Sequence, residues 1–223
     1  MGLLDNTPQA ENFEEKCLCV FALDVSGSMH GKPINELNIG LQQFQADVYD
    51  KANLCSRLEV GIVTFASEVK VLQNPALLDA FDMPKLKEGG ETKMADGIRA
   101  AMKMVRDRKD YWQKNGIGYR RPWIVVITDG EPDDTQDIKA LHRDIEQAKA
   151  EKGFMFLPIG IEGANMKKLA AISEDPPKKL AGLNFAEFFQ WLSNSFEKIS
   201  EAKVGDKIKL DQPHWAETEV TID

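Results

Sequence analysis

Five oxygen-bearing side chains stand at positions where they could surround a single cation. Asp24, Ser26 and Ser28 follow one apolar run of the chain, whereas Thr92 follows a pair of glycines and Asp129 follows a second apolar run. Two carboxylates and three hydroxyls form a shell of hard oxygen ligands that needs no cysteine or histidine. Such a shell suits Mg²⁺, Mn²⁺ or Ca²⁺ better than zinc.

The chemistry expected of this shell is coordination, not catalysis. Mg²⁺ takes about six oxygen ligands and retains waters readily. Three hydroxyls, together with waters held by the two carboxylates, nearly fill that shell and leave one position for an incoming ligand. Because the hydroxyls are neutral, the ion stays strongly electrophilic. An acidic side chain of a partner protein is therefore the expected last ligand.

Two buried strands are expected to position the two aspartates. Residues 18–23 (LCVFAL) and 123–128 (WIVVIT) are continuous apolar runs, and an aspartate follows each of them at once. Such runs are typical of strands covered on both faces in a parallel sheet. In doubly wound sheets, ligands lie at the carboxyl ends of the strands, where the strand order reverses. Gly27 and the pair Gly89-Gly90 would let the loops turn, so that the hydroxyls face one point.

The remaining elements extend this sheet. Strands alternate with segments of helical periodicity, which predicts a Rossmann-like, doubly wound α/β fold with a mostly parallel sheet and helices on both faces. The pattern also predicts a short antiparallel edge strand at 68–72, after a tight hairpin, and a last strand at 179–183. Asn184, with Glu187 three residues later, predicts the capped start of an amphipathic final helix.

Composition narrows the class of protein. The chain has 223 residues, of which 43% are hydrophobic, and a net charge of -8, which argues against a nucleic-acid binder. Three cysteines without a C-x-x-C pair predict a reducing compartment. We find neither a signal peptide nor an apolar run near the ~20 residues of a membrane span. We expect a cytoplasmic protein with no membrane contact, built as a leader (1–13), one domain (14–200) and a tail (201–223).

The five residues also resemble a known motif. Asp24-x-Ser26-x-Ser28 after an apolar strand, Thr92 after two glycines, and Asp129 in the run TDGEP are similar to the five-part metal motif of the von Willebrand factor A (vWA) family. The resemblance implies Mg²⁺ or Mn²⁺ at the top of a Rossmann-like sheet. It also implies that a partner's Asp or Glu completes the coordination, in a metal-ion-dependent adhesion site (MIDAS).

A second likeness concerns the end of the domain. The run FFQWLSNSFEKIS (188–200) resembles the terminal helix of bacterial tellurium-resistance proteins of the TerY type. This resemblance implies an associated protein kinase and a PP2C-type phosphatase as partners. It further implies a role in tellurium resistance or in phosphorylation-linked stress signalling.

Enzymatic interpretations of the same residues are weaker. A Mg²⁺-dependent phosphatase could use Asp24 as its nucleophile, but that chemistry requires a second acid where Ser26 stands. A serine hydrolase could use Ser28 with His30, although the G-x-S-x-G turn of such enzymes is missing. No G-x-G-x-x-G follows the first strand, which argues against a dinucleotide enzyme. We therefore expect no enzymatic activity.

Two alternatives bear on whether the site is open to a partner. Ser26 and Ser28 could instead cap the helix that Pro33 opens. Glu91 directly precedes Thr92 and could itself occupy the coordination position that a partner needs.

Overall fold

A computed structural model describes residues 14–129, 136–203, 206–211 and 214–216. The predicted leader (1–13) and the residues that directly follow Asp129 (130–135) lie outside these ranges. The strands of the described part are β1 (Cys17–Asp24), β2 (Leu58–Phe65), β3 (Val69–Leu77), β4 (Trp123–Thr128), β5 (Met155–Gly160) and β6 (Lys178–Lys179). The helices are α1 (Lys32–Tyr49), α2 (Ala52–Cys55), α3 (Met94–Lys114), α4 (Ile138–Ala150), α5 (Met166–Ala170) and α6 (Phe185–Glu201), with a 3-10 turn at Gly27–Met29.

The strands form one sheet in the order β3-β2-β1-β4-β5-β6. All neighbours are parallel except β2 and β3, which are antiparallel. The predicted fold class is therefore confirmed. The chain leaves β1 toward β2 on one side and later returns to β4 on the other, so the strand order reverses between β1 and β4. The register places Leu23 beside Ile127, which brings the ends of these two strands together.

Helices cover both faces of this sheet. Phe21 of β1 packs edge-on against Phe44 of α1 and Phe189 of α6, each with ring centroids 5.7 Å apart. α1 and α6 approach closely because Gly40 lacks a side chain, and a Cβ there would lie 2.7 Å from the Phe189 ring. On the opposite face, α3 and α4 cover the alternate residues of the same strands, with the buried Trp112 among them. Both faces of the central strands are therefore buried from solvent, which explains their continuous apolar runs.

The antiparallel strand is longer than predicted. β3 runs over Val69–Leu77, whereas the sequence predicted 68–72, so the strand continues through Gln73, Asn74 and Pro75. β3 lies at the edge of the sheet, where a proline costs no ladder hydrogen bond, and register irregularities near Ile62 absorb the change in pairing. The strand therefore continues past a sequence that normally ends one.

The last strand was predicted at 179–183, but β6 covers only Lys178–Lys179. The amide of Leu180 still reaches the carbonyl of Gly160, at 2.8 Å, but the Ala181 amide bonds the carbonyl of Trp215 at the same distance. From Ala181 onward, the C-terminal segment therefore takes the place of β5 as the hydrogen-bonding partner of this stretch. The predicted cap on α6 is present, since the Asn184 side chain accepts a hydrogen bond from the Glu187 amide.

The C-terminal segment packs on the domain through one aromatic residue. Trp215 is 1% exposed, and its ring centroid lies 4.9 Å from that of Phe188 and 5.4 Å from that of Trp191. The Trp191 indole donates to the Asp211 carbonyl at 3.0 Å, and Asp211 forms an ion pair with Lys198. α6 is thus covered by residues that follow it in the chain. Within the described residues, no helix has both the length and the apolar character to cross a bilayer.

Candidate metal-binding site

Asp24 ends β1 with its carboxylate fully buried. One oxygen, Oδ1, accepts a hydrogen bond of 2.8 Å from the amide of Ser26. The other, Oδ2, accepts one of 2.6 Å from the hydroxyl of Thr128, the last residue of β4. Both oxygens are thereby oriented by groups from two neighbouring strand ends. The reversal of strand order between β1 and β4 is what places them together.

The hydroxyls of Ser26 and Ser28 connect Asp24 to the second aspartate. The 3-10 turn at Gly27–Met29 brings the two serine Oγ atoms to 3.0 Å of each other. Ser28 Oγ then donates a hydrogen bond of 2.8 Å to Asp129 Oδ1. Ser28 is exposed, whereas Ser26 is buried. The structure therefore brings four of the five predicted residues into one hydrogen-bonded chain, directed from the interior toward solvent.

Thr92, the fifth predicted residue, lies on a loop attached to the serine loop. The amide of Gly27 donates to the carbonyl of Gly90 at 3.0 Å, two residues before Thr92. Gly90 has φ +94°, and a Cβ there would lie 2.4 Å from Ser67 Oγ, so this position requires glycine. Gln136 holds the loop from the other side, since its side-chain amide donates to the Thr92 carbonyl at 2.8 Å. Thr92 itself is buried.

Both carboxyls are held in unfavourable surroundings for a negative charge. Burial raises the pKa of Asp24 from 3.8 to about 6, although hydrogen bonds from Ser26 and Thr128 oppose the shift. Burial also raises the pKa of Asp129, against the hydrogen bond from Ser28. Among the described residues, neither aspartate forms an ion pair with a lysine, arginine or histidine. A bound cation would supply the missing positive charge.

The residues present fit a hard divalent cation. The ligands are carboxylate and hydroxyl oxygens, and within the described ranges no group of three or more His, Cys, Asp or Glu residues offers another metal site. A cation between Asp24 and Asp129 would compete with the hydrogen bonds that now join the serines to each other and to Asp129.

Two contributing residues escaped the sequence prediction. Thr128 orients the Asp24 carboxylate, and its polar side chain at the end of the otherwise apolar run WIVVIT is a signal that could have identified it. Gln136 joins Thr92 to the start of α3, because its side chain also accepts a hydrogen bond from the Ala95 amide. Gln136 stands in a polar stretch, and nothing in its sequence surroundings distinguishes it.

The geometry argues against the two hydrolase alternatives. His30 is largely exposed and its ring nitrogen contacts Glu88 at 2.8 Å, so it does not activate Ser28. The carboxylate of Asp24 is buried with both oxygens engaged, which is a poor arrangement for a nucleophile.

Glu91 was the residue that could close the site to a partner. Its amide donates a hydrogen bond to Ser67 Oγ, and its side chain is exposed.

Comparisons with known proteins agree with this fold. The chain is similar to the collagen alpha-6(VI) chain of Homo sapiens, with 28% identity over 203 residues that cover 86% of this chain and 8% of the collagen chain. The corresponding Mus musculus chain shows 27% identity, again over 86% of this chain and 8% of that one. The protein thus spans less than a tenth of the length of these relatives.

Solved structures show the same architecture. The pilus adhesin SpaC from Lactobacillus rhamnosus GG matches with a TM-score of 0.66 and 14% identity, over 83% of this chain and 30% of the adhesin. Proximal thread matrix protein 1 from the mussel byssus, with a zinc-occupied MIDAS motif, matches with a TM-score of 0.55 and 16% identity, over 85% and 47% of the two chains. The sequence model of the von Willebrand factor type A domain matches residues 19–198. Because that match covers most of the chain, the protein belongs to the von Willebrand factor type A domain family.

Proposed function

We propose that this protein is a metal-dependent protein-binding domain. Asp24, Ser26, Ser28, Thr92 and Asp129 would hold one Mg²⁺ or Mn²⁺ ion, and an Asp or Glu of a partner protein would complete its coordination. We further propose that the domain has no enzymatic activity.

One observation carries the proposal. Hydrogen bonds connect the buried carboxylate of Asp24 through Ser26 to the exposed hydroxyl of Ser28, which donates to Asp129. The chain of bonds includes no cationic side chain. An ion at this position would face solvent on one side, where a partner's carboxylate can approach. The neutral hydroxyls would leave much of the ion's charge for that carboxylate.

The identity of the metal is a separate question. The oxygen-only ligand set favours Mg²⁺ or Mn²⁺ over zinc on chemical grounds. The structure of proximal thread matrix protein 1 nevertheless has a zinc-occupied MIDAS motif. Zn²⁺ therefore belongs in every binding experiment beside Mg²⁺ and Mn²⁺, with the order of affinities as the result.

Affinity capture from cell lysate tests the function. The 223-residue chain is immobilised in Mg²⁺ or in EDTA, and captured proteins are identified by mass spectrometry. We expect a partner that is retained only in Mg²⁺ and only by the wild type, while Thr92→Ala loses it. Lys114→Ala, which changes an exposed residue at the far end of α3, is the matched control and retains it. Capture that survives both EDTA and Thr92→Ala would exclude this function.

The biological setting that we propose is a tellurium-resistance or phosphorylation-linked stress-signalling module. Its support is the resemblance of residues 188–200 to the terminal helix of TerY-type proteins. A protein kinase and a PP2C-type phosphatase are the expected partners in the capture experiment. Recovery of unrelated proteins in a Mg²⁺-dependent manner would refute this setting and leave the binding function intact.

A further inference from the structure

A groove of about 470 Å³ opens beside the proposed metal site. Its apolar lining includes Val25, Ala66 and Leu72, and its cationic lining includes Lys85 and Lys87, with Lys70 on the edge strand β3. We call this feature the lysine groove. Ala66 and Val25 are buried, whereas the lysines are exposed.

The lysine groove adjoins the loop that carries Asp24 and Ser26. Val25, which lines it, stands between the two site residues Asp24 and Ser26. The carbonyl of Val25 accepts a hydrogen bond of 2.8 Å from the amide of Gly89, so the segment that carries the lysines is attached to the metal-binding loop. A chain segment that places one carboxylate on the ion would therefore have its neighbouring residues beside this groove.

Among the described residues, some charged side chains that line the groove contact a partner of opposite sign, whereas Lys85 and Lys87 do not. Glu68 forms an ion pair with Lys70 at 3.3 Å, and Glu88 contacts His30 at 2.8 Å. Within the described part of the chain, neither Lys85 nor Lys87 has an ion-pair partner. The chain as a whole carries a net charge of -8. The lining holds three lysines and two glutamates, and this excess of positive charge beside the metal site of an acidic protein favours an anionic occupant.

We propose that the lysine groove binds an extended acidic segment of the partner protein, adjacent to the residue whose carboxylate reaches the metal. This inference rests on the proposed function, which it deepens by naming the chemistry of the partner. Lys85 and Lys87 bind acidic side chains of the segment, and the apolar lining around Leu72 accepts an aliphatic side chain between them. The pairs are exposed, so they contribute specificity and association rate and weaken with salt.

Two fluorescein-labelled peptides test the proposal by fluorescence anisotropy with the full chain. The first carries a single glutamate in a glycine and serine background, and the second adds aspartates on both sides of that glutamate. We expect both to bind in Mg²⁺ and not in EDTA. The second should bind about tenfold more tightly at low salt, which corresponds to about 1.4 kcal/mol shared between two exposed ion pairs.

Charge reversal locates the effect. Lys85→Glu with Lys87→Glu should remove the tenfold advantage of the acidic peptide and leave Mg²⁺-dependent binding of the single-glutamate peptide. The matched control is Lys114→Glu with Lys203→Glu, which reverses two exposed lysines, one at the end of α3 and one just after α6, and should keep the advantage. Equal affinity of the two peptides, or an advantage that survives the groove variant, would overturn the groove and spare the metal function.

Two other outcomes also decide the question. Absence of Mg²⁺-dependent binding by both peptides would overturn the proposed function and the groove inference together. A labelled single-stranded oligonucleotide serves as a competing anion. If it binds the wild type more tightly than the acidic peptide and loses affinity in the groove variant, the lysines recognise phosphate and the inference is wrong.

Discussion

The hydroxyl of Thr128 donates a hydrogen bond of 2.6 Å to the buried carboxylate of Asp24, across 104 residues of sequence. This bond joins the carboxyl ends of β1 and β4, the two strands between which the sheet reverses its order. It fixes the direction in which the remaining lone pairs of Asp24 point. The proposed metal site therefore depends on a residue that is not itself one of the five proposed ligands.

Replacing Thr128 tests that dependence. Thr128→Val keeps the shape of the side chain but leaves one oxygen of a buried carboxylate without its donor, which costs about 1–3 kcal/mol of unfolding free energy. Loss of such an orienting bond also weakens metal affinity about 10- to 100-fold. Urea denaturation in EDTA and Mg²⁺ titration measure the two effects. Thr64→Val, a buried threonine on β2, is the control and should leave both unchanged.

Mg²⁺ should stabilise the folded protein. A ligand present at one hundred times its Kd raises the unfolding free energy by about 2.7 kcal/mol when it binds only the native state. We expect a higher Tm in Mg²⁺ than in EDTA for the wild type, and no difference for Asp129→Ala. A Tm that is the same with and without Mg²⁺ in the wild type would argue against a metal site.

The metal-free protein should lose stability as the pH rises through about 6. The pKa of Asp24 is about 6 in the folded protein, whereas its ordinary value is 3.8. The folded protein therefore binds this proton more tightly than the unfolded chain does. The proton on Asp24 therefore stabilises the folded protein fully below pH 4. This contribution, about 3 kcal/mol of unfolding free energy, decreases as the pH rises and is lost above pH 6. The raised pKa of Asp129 acts in the same direction.

Urea denaturation in EDTA at a series of pH values measures this effect. Asp24→Asn should show a flatter profile over the same range, because it has no proton to lose at that position. Mg²⁺ competes with the proton, so its stabilisation should be larger at pH 7.5 than at pH 5. A wild-type profile that rises from pH 4 to pH 6 would contradict the assigned pKa shift.

A buried ion pair at the opposite end of the sheet should affect stability alone. Arg108 of α3 forms two hydrogen bonds to Glu59 of β2, at 2.5 and 2.6 Å, and both side chains are buried. Arg108→Met would leave the Glu59 carboxylate without its cation, which costs about 3–5 kcal/mol. Adding Glu59→Met should recover most of that loss in urea denaturation. Mg²⁺ affinity, which depends on the other end of the strands, should stay unchanged in the double variant.

Trp215 should hold the C-terminal segment on α6. Truncation of a buried tryptophan costs about 3–5 kcal/mol, so Trp215→Ala should lower the urea midpoint substantially. Ile208→Ala removes a partly exposed side chain from the same segment and serves as the control. Equal midpoints for the two variants would show that the indole contributes no more than an exposed residue.

The apolar runs predicted the central sheet well because burial on both faces leaves a strong pattern. Trp123–Thr128 lies where the sequence placed it, and the aspartates that follow the two apolar runs marked the candidate site. β3 was predicted too short, since the tolerance of an edge strand for Pro75 depends on its place in the sheet. The sequence pattern does not encode that place.

Long-range contacts of the tail and of the site residues could not be predicted from the sequence. Trp215 is buried by α6, which a reading of local periodicity does not reveal, and Gln136 reaches Thr92 across 44 residues. Side chains of this kind take their roles from tertiary contacts. The motif identified the five proposed ligands, whereas the residues that orient them became visible only when the strands were assembled.

The distance along the chain between Ser28 and Asp129, 101 residues, has a consequence for synthesis. Asp24 and the serines leave the ribosome long before β4 is made, and until then they have no second carboxylate beside them. A cation therefore cannot template the early stages of folding. Cation uptake would require β4 to have docked beside β1, so it would report the pairing of the two central strands.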